Sequence, residues 1–561
     1  MRGGRSKSTM AKLTRMHLAE SRRCARAVTA AMLLVIVAAP RIALAQSRSG
    51  LDLGGAPTAG GEEVAYLRAL ALLDTVYVPV VMQPFSREAA QRLRTWAASR
   101  PNPWQTRFRM DSAGSLLRPQ LGLTYHSALP LSRNDGVVWA GRGVTAVAQF
   151  GAAATWRAVD VQLAPLVFRA QNAEFNLATN NRTGPTAYGD ARFPGAIDHV
   201  QAFGDDDYGR VDAGESFARA EAYGVQAGFG STAMSWGPGR EYPLTMSPNA
   251  GGFAHFFVGT GRPLNLWIGT AQGRLIGGRV EQSEFSAVVS GSLHRFTSGF
   301  VGSFVPRGLS GLEIGATRVM HVAWPEGGPS LAQLLRPFQT VVSDPLTGSA
   351  PNQNNENQFA SIFARLAPPG SGLEVYGELT RDDFTGNIRS LIAKPDDVAL
   401  LLLGASRSRL RVDGTLDVVR AELTNGELSH NERGQRGFRR PFWAYGHEKT
   451  QQGLTSRGQI LGSPVAAGGS GATLAWDRYT VAGRRSISVE RQLRLDWLPA
   501  IGSTGGTRNA ETLYGVRYER VHFAGGRDWT LTIAPSRILN RNLVVGNDLW
   551  NLELGARWRG W

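Results

Sequence analysis

Apolar and polar residues alternate one by one in many segments beyond Trp104. Residues 159–163, 373–379 and 492–497 (VDVQL, LEVYGEL and QLRLDW) show the pattern, in which one side is apolar and the other is strongly polar or charged. Successive side chains of a β-strand point to opposite faces, so a period of two predicts strands that separate an apolar from a polar environment. This periodicity constrains the fold more than any other feature of the chain.

Two all-β architectures could use such strands. A soluble sandwich would pack its apolar faces against one another, and it would rarely need as many strands as residues 105–561 can supply in one unit. The wall of a transmembrane barrel accounts for both the number of strands and the polar interior. Strands of about ten residues, with connections of comparable or greater length, predict an all-β transmembrane barrel of about 18 antiparallel strands over residues 105–561.

The first 45 residues have the organisation of a secretory signal peptide. A basic leader precedes an apolar run over residues 27–40, and residues 43–45 (ALA) provide a cleavage site. Cys24, the single cysteine, lies in this leader, so the mature chain excludes disulfides, thiolate catalysis and cysteine metal sites. The mature chain has no apolar run long enough for a transmembrane helix, which leaves the periplasm, secretion or an outer-membrane barrel.

Net charge restricts the possible partners only weakly. The chain carries a formal charge of +16, but about half of it lies in the predicted leader. The remaining excess of basic residues suits attraction to polyanions at a surface, and arginines scattered on solvated faces explain it equally well. No nucleic-acid-binding motif accompanies the charge, and the export signal argues against a nucleic-acid partner.

Residues 46–104 follow a different period, which predicts a short periplasmic helical segment before the barrel. Apolar residues recur at helical spacing over residues 62–73, and Ser86 is placed to cap a second helix that ends before Pro101. Two prolines keep the join over residues 77–85 extended. The segment is too short for an independent domain, so its apolar stripes need the barrel as a partner. We expect it to pack across the periplasmic opening and narrow it.

Glycine, proline and aromatic residues lie at fixed offsets in residues 235–284 instead of following a helical period. Residues 236–239 (WGPG) combine a rigid proline with two glycines that adopt positive φ easily. We expect them to form a tight, exposed turn that carries Trp236 and Arg240 beside it. Residues 249–257 (NAGGFAHFF) repeat this combination.

Four sequence elements follow one another in this stretch: WGPG at residues 236–239, NAGGFAH at 249–255, GTGRP at 259–263 and GRL at 273–275. Their order closely resembles the signature of the capsule assembly Wzi family, and the similarity covers most of the chain from about residue 62 onward. The residues that match the family motif are Trp236, Gly237, Pro238, Gly239, Asn249, His255, Arg262 and Pro263.

The resemblance implies an outer-membrane protein that binds, or helps to assemble and retain, capsular or other exported polysaccharide at the cell surface. It also implies a helical segment before the barrel. We expect a monomer surrounded by outer-membrane lipid. The barrel pattern alone supports an alternative function, a porin-like channel for small polar solutes, because a channel requires only an open lumen lined by charge.

Residues 437–449 (GFRRPFWAYGHEK) interleave arginine with aromatic residues in a long polar connection. Arginine can bind carboxylate or phosphate through two hydrogen bonds, and an aromatic face can stack on the apolar side of a sugar ring. We therefore interpret four residues as candidate contacts for an acidic polysaccharide: Arg439, Arg440, Trp443 and Tyr445. An aromatic girdle at the membrane boundary, with the arginines facing lipid headgroups, is the alternative interpretation.

No pattern in the sequence indicates a catalytic or metal site. Residues 205–207 (DDD) lack the spacing of a calcium loop and are typical of a solvated acidic turn. The histidines of the mature chain are not at metal-ligand spacing, and no G-x-S-x-G nucleophile motif occurs with candidate partners. Glu374 and Glu378 should face the lumen and pair with arginines there. We expect neither enzyme activity nor a metal or cofactor.

Overall fold

Most of the mature chain is covered by the structure, a computed structural model. It describes residues 55–108, 114–131, 133–287, 294–339, 356–382, 388–393, 395, 398–427, 444–447, 452–495 and 510–560. The predicted signal peptide and its cleavage site lie outside these residues. Among the described residues, no helix is both long and apolar enough to cross a membrane.

Two helices precede the barrel, as the sequence predicts. Helix α1 spans Glu62–Ala71 and helix α2 spans Arg87–Ala98. The Ser86 side chain accepts a hydrogen bond from the backbone N–H of Ala89, which confirms the predicted cap of α2. The join between the helices is extended and contains the two-residue strand β1 (Met82–Gln83). Shorter helical turns lie in connections: α3 (Leu331–Leu334), α4 (Ile388–Ala393), and 3-10 turns at Gln105–Arg107, Gly184–Tyr188, Pro248–Ala250, Arg336–Phe338 and Arg541–Leu543.

The other strands follow in chain order. They are β2 (Gly114–His126), β3 (Gly143–Trp156), β4 (Val159–Leu163), β5 (Leu166–Ala170), β6 (Tyr208–Asp212), β7 (Phe217–Ala222), β8 (Val225–Gly230), β9 (Ser235–Trp236), β10 (Ala254–Thr260), β11 (Leu264–Leu266), β12 (Gly269–Glu281), β13 (His294–Pro306), β14 (Leu312–Ala323), β15 (Glu356–Leu366), β16 (Leu373–Asp382), β17 (Ala399–Leu410), β18 (Leu416–Asn425), β19 (Thr455–Ser456), β20 (Gln459–Ile460), β21 (Gly469–Thr480), β22 (Gly483–Leu495), β23 (Ala510–Ala524), β24 (Arg527–Leu539) and β25 (Leu549–Gly560).

These strands form a closed antiparallel barrel of 18 wall strands, which confirms the predicted architecture and number. Strands β4 and β5 both pair with β3 and make up one interrupted wall strand. Strands β6 and β7 continue one another in the same way, as do β10 and β11. The barrel closes where β2 pairs with β25. Strands β1, β9, β19 and β20 lie outside this sheet.

The wall strands have an apolar outer face and a polar inner face. In β16, Leu373 and Val375 are exposed on the outside, whereas Glu374 and Glu378 are buried on the inside, as the alternation predicts. An apolar outer band is the surface that a transmembrane barrel presents to lipid. Further exposed members of this band are Leu401, Leu403, Val419, Leu423, Leu474, Val489, Val516, Leu531 and Ile533.

The connections at the two ends of the barrel differ in length. One end, which we call the short-turn end, has tight turns such as residues 481–482 and 525–526. The other, which we call the long-loop end, carries the connections over residues 171–207, 324–355 and 426–468. Bacterial barrels have short periplasmic turns and longer extracellular loops, so the short-turn end faces the periplasm.

The helical segment lies across the short-turn end. Arg68 of α1 pairs with Glu374 of β16 at 2.9 Å, and the indole N–H of Trp104 donates to the Thr480 carbonyl at the end of β21, at 3.1 Å. Further around the wall, the Glu221 carboxylate of β7 accepts hydrogen bonds from the first backbone N–H groups of α2. These contacts reach strands in distant parts of the barrel wall. The segment therefore lies across the opening, as its apolar stripes predict.

Candidate functional site

The chain leaves the wall after β8 and returns to it at β10. We call the intervening residues 231–253 the inward segment, because they pack against inward-facing wall side chains such as Val301 and Phe359. Strand β9 of this segment pairs with β1, so that Trp236 lies opposite Met82. Trp236 is fully buried, and its backbone N–H donates to the Met246 carbonyl at 3.1 Å. Backbone hydrogen bonds therefore join the helical segment to the inward segment inside the barrel.

This placement corrects the expectation that residues 236–239 form an exposed turn. Trp236, Gly237, Pro238 and Gly239 are all buried. A turn rich in glycine and proline has the same sequence pattern in solvent as inside a lumen. The pattern therefore predicts the turn but not its burial.

Gly237 is the point at which this turn approaches the wall most closely. Its φ is 84°, a backbone conformation that favours glycine. A Cβ here would lie 2.4 Å from Oε2 of Glu378, so there is no room for a side chain. Glu378 is buried and accepts hydrogen bonds from the hydroxyls of Thr245 and Thr380, at 3.4 and 3.3 Å. The expectation that Glu378 pairs with a lumen arginine is therefore wrong, because the inward segment occupies the space beside it.

Gly237→Ala is expected to destabilise the folded barrel more than Gly308→Ala. The φ angles are 84° and 83°, so each substitution carries a backbone strain of roughly 1–3 kcal/mol. A Cβ at position 237 also meets a buried carboxylate, whereas nothing lies within 4 Å of a Cβ at position 308. Melting temperatures of the purified variants in detergent measure the difference. Equal melting temperatures would show that the close approach to Glu378 does not affect stability.

Glu374 does pair with arginines, as the sequence predicts. Its carboxylate lies 2.9 Å from Arg68, 2.5 Å from Arg365 and 3.6 Å from Arg240, and its side chain is fully buried. Arg68 belongs to the helical segment, Arg240 to the inward segment and Arg365 to the wall. Removing one partner from such a buried group leaves an uncompensated charge, so the cluster holds the three elements together.

The other signature residues divide between the lumen and the short-turn end. Asn249 is buried and donates through Nδ2 to a backbone carbonyl of β20 at 2.8 Å. His255 is buried, and its Nδ1 lies 2.8 Å from the backbone carbonyl two residues earlier. Arg262 is exposed in the turn that contains Pro263, 4.0 Å from Glu88 of α2. Asn249 and His255 therefore maintain the fold of the interior, whereas Arg262 lies at its short-turn end.

A second connection enters the lumen from the long-loop end. Its described parts, residues 444–447 and 452–468, include the hairpin of β19 and β20 and pack against the inward segment. Tyr445 is fully buried with a φ of 72°, and its hydroxyl donates to the Leu244 carbonyl at 2.7 Å. The Tyr445 ring stacks on Phe359, with ring centroids 4.9 Å apart. Burial raises the pKa of the Tyr445 phenol.

The four candidate contacts of residues 437–449 are thus not equivalent. Arg439, Arg440 and Trp443 lie outside the described residues. Tyr445 is described, and its burial corrects the expectation that it contacts a polymer outside the cell. Its position in the lumen also excludes it from a lipid-facing girdle. The sequence does not distinguish Tyr445 from its neighbours, because an aromatic residue in a polar loop shows the same pattern whether it is exposed or packed in the interior.

Asp198 is a buried anchor at the long-loop end that the sequence did not single out. One carboxylate oxygen accepts a hydrogen bond from the Ser283 hydroxyl at 2.6 Å. The other accepts from the backbone N–H groups of Ser283 and Gly458, at 2.7 and 3.2 Å. Burial raises the pKa of Asp198. These bonds fasten residues 171–207 to two other connections, and no local pattern around an isolated aspartate could have predicted them.

The predicted acidic turn is solvated. Asp205, Asp206 and Asp207 are exposed, and Asp207 pairs with Arg169 at 2.7 Å. Across the part of the chain that the structure describes, no group of three or more histidine and carboxylate side chains is placed to hold a metal ion.

A cavity of about 990 Å³ lies in the lumen beside the inward segment. The inner faces of β2, β3 and β21–β25 line it. Val64 and Trp104 of the helical segment bound it at the short-turn end, together with Phe108. Many of its charged side chains form ion pairs across neighbouring elements. These pairs are Arg133–Glu490, Arg420–Asp477, Arg484–Glu62, Arg494–Glu511 and Arg517–Glu553.

Comparison with known proteins identifies the family. The model of the family described as capsule assembly protein Wzi matches residues 125–548. Among solved structures, Wzi of Escherichia coli is similar, with a TM-score of 0.58 at 14% identity over 90% of this chain and 99% of that chain. That protein is an outer-membrane protein involved in group 1 capsule assembly and a carbohydrate-binding β-barrel. A BenF-like porin of Pseudomonas fluorescens Pf-5 has a TM-score of 0.38 at 10% identity, over 80% of this chain and 98% of that chain.

Pseudomonas putida OprB has a TM-score of 0.31 at 11% identity, over 80% of this chain and 94% of that chain. No curated protein sequence matches this chain significantly. The family match covers most of the chain, the barrel has an apolar outer band, and the inward segment carries the first part of the predicted signature. The chain belongs to the capsule assembly protein Wzi family and is an outer-membrane β-barrel.

Proposed function

We propose that this protein binds capsular or other exported polysaccharide at the cell surface and helps to retain it there, without a catalytic step. The family match over residues 125–548 carries the proposal, because it covers the barrel and the long connections together. The Escherichia coli protein with a similar fold is a carbohydrate-binding barrel. The proposed working unit is a monomer surrounded by outer-membrane lipid.

The occupied lumen favours binding over the alternative of a porin-like channel. The inward segment and residues 444–447 and 452–468 fill one side of the interior with buried side chains, including Trp236 and Tyr445. The helical segment lies across the short-turn end. A general solute channel requires a continuous open path through the lumen, and this arrangement obstructs one.

Arg439, Arg440 and Trp443 remain the proposed polymer contacts. The connection that carries them starts after β18 and continues into Ala444 and Tyr445, which are fully buried, so both of its ends are held at the long-loop end. Individual sugar contacts are weak. A polymer presents the same epitope many times, however, so avidity can retain it without a deep pocket.

Deletion of the protein, in a strain that makes surface polysaccharide, is expected to move polymer from the cell surface into the medium while total synthesis stays constant. Quantifying the attached and released fractions measures the effect, and expression of the full-length protein should restore attachment. An unchanged distribution in the deletion strain would contradict retention and favour the channel function.

A further inference from the structure

One group of charged side chains at the short-turn end of the lumen cavity contains more cations than acids. Five arginine side chains gather there around two carboxylates, Glu63 and Asp528. Three of the arginines contact these carboxylates, whereas the guanidinium groups of the other two line the cavity without an ion pair to a described residue. The five arginines are Arg94, Arg107, Arg118, Arg557 and Arg559.

Both carboxylates have their oxygens occupied. The two oxygens of Glu63 accept hydrogen bonds from Arg94, at 2.6 and 2.9 Å. Asp528 accepts from Arg107 at 2.9 Å through each oxygen, and from Arg118 at 2.9 Å. Arg94 therefore balances the charge of Glu63, and Asp528 is shared by two guanidinium groups.

The strand register places the two remaining arginines side by side on the lumen wall. Arg557 and Arg559 are two positions apart on β25, which puts them on the same face about 7 Å apart. Gly122 and Thr530 flank Arg557 on the adjacent strands, so a small residue and a hydroxyl leave space in front of its guanidinium. Within the part of the chain that the structure describes, neither guanidinium group has a hydrogen bond or ion pair, and the backbone carbonyl of Arg559 accepts a hydrogen bond from Arg118.

The polar groups around this space are suited to an anion. Arg559 is flanked by Gln120 on β2 and by Asp528 on β24, and Gln149 lies opposite Gln120 on β3. Gln120, Gln149, Thr530 and Arg557 all line the cavity, and Arg557 is exposed to it. Amides and hydroxyls can donate hydrogen bonds to an oxyanion, while each guanidinium offers a planar pair of donors. Cations brought together in a lumen of low dielectric repel one another unless an anion joins them.

We propose that Arg557 and Arg559 form an oxyanion-binding site at the short-turn end of the lumen, which accepts a carboxylate or phosphate group. This site is separate from the polymer contacts at the long-loop end and does not depend on them. Its ligand is a small anion of the periplasm or the acid group of a charged sugar, and the two sources share the same recognition chemistry.

Titration calorimetry on the full mature protein in detergent tests the site, with sodium phosphate, sodium glucuronate and neutral glucose as probes. We expect phosphate, glucuronate or both to bind, glucose not to bind, and the double variant Arg557→Gln/Arg559→Gln to lose at least tenfold in affinity. The matched control is Arg491→Gln/Arg520→Gln, which removes the same charge from exposed positions on β22 and β23, outside the cavity lining. Binding of phosphate alone would identify the small anion as the ligand, and binding of both would admit an acidic sugar.

Melting temperature without added anion separates binding from a structural role. Because the double variant removes repulsion between cations, it should melt at or above the temperature of the unsubstituted protein, and phosphate should raise the melting temperature of the unsubstituted protein only. The site assignment is overturned if neither anion binds the unsubstituted protein, if the double variant binds as tightly as its parent, or if the variant is markedly less stable without anion.

Discussion

Removal of residues 46–104 is expected to convert a poorly conducting barrel into one that passes small ions readily. The helical segment bounds the lumen cavity at the short-turn end through Val64 and Trp104, so its removal opens the cavity towards the periplasm. The inward segment remains part of the shortened chain, and the gain in conductance should therefore come from the side of the lumen that holds the cavity. Single-channel recordings in planar bilayers measure the change between the intact and the shortened protein.

A second variant tests the same role of the helical segment in a chain of full length, in case the shortened chain does not fold. Trp104 is fully buried, stacks on Tyr66 with ring centroids 4.3 Å apart, and meets Tyr479 of the wall edge-on. Trp104→Ala should weaken the contact between segment and wall by about 3–5 kcal/mol, and this should produce frequent openings in an otherwise complete barrel. Folding is checked by heat-modifiable migration in gels. Folded variants that conduct no better than the intact protein, or an intact protein with a wide channel, would refute the closing role of the segment.

Features that depend on neighbouring residues could be predicted from the sequence. Period-two alternation identified the wall strands, because the two faces of each strand meet lipid and lumen at adjacent positions. Helix α2 could be placed from Ser86, since a cap and an apolar stripe are both local signals. The inward direction of Glu374 and Glu378 followed from the exposed positions of Leu373 and Val375.

Features of the interior depend on residues far apart in the chain, and these the sequence did not show. Gly237 meets Glu378, and Tyr445 stacks on Phe359, in contacts that only the closed barrel creates. The polar inner face of a strand has the same sequence pattern whether water or another part of the chain fills the lumen. The WGPG turn was therefore predicted to be exposed when it is buried, and Tyr445 was assigned to the surface when it is an anchor.

The group of arginines at the short-turn end also depends on contacts between residues far apart in the chain. Alternation along β25 is enough to place Arg557 and Arg559 on one face. Their lack of an ion pair with a described residue becomes visible only in the structure, where Asp528 lies opposite Arg559 but binds Arg107 and Arg118. A sequence gives the number of charges, but pairing depends on the three-dimensional arrangement.

Replacing Arg439, Arg440 and Trp443 together with alanine is expected to release surface polysaccharide into the medium, while barrel assembly and polymer synthesis remain intact. Each hydrogen bond between a charged donor and acceptor contributes about 1.5–3 kcal/mol, so two lost arginines would weaken every bound repeat by tenfold or more. Because retention depends on many weak contacts acting together, a loss at each of them should release most of the polymer. The attached and released fractions, measured with equal amounts of barrel in the outer membrane, give the result.

Two control variants separate direct contact from damage to the fold. Arg182→Ala removes an exposed arginine from residues 171–207 at the same end of the barrel and should leave retention unchanged. Tyr445→Phe removes the hydroxyl that donates to the Leu244 carbonyl but keeps the ring stacked on Phe359, so it should lower stability slightly without releasing polymer. If the triple variant is correctly inserted and still retains polymer as its parent does, these three residues are not the contacts. If Tyr445→Phe releases polymer to the same extent, the buried anchor and not the arginine-rich connection determines retention.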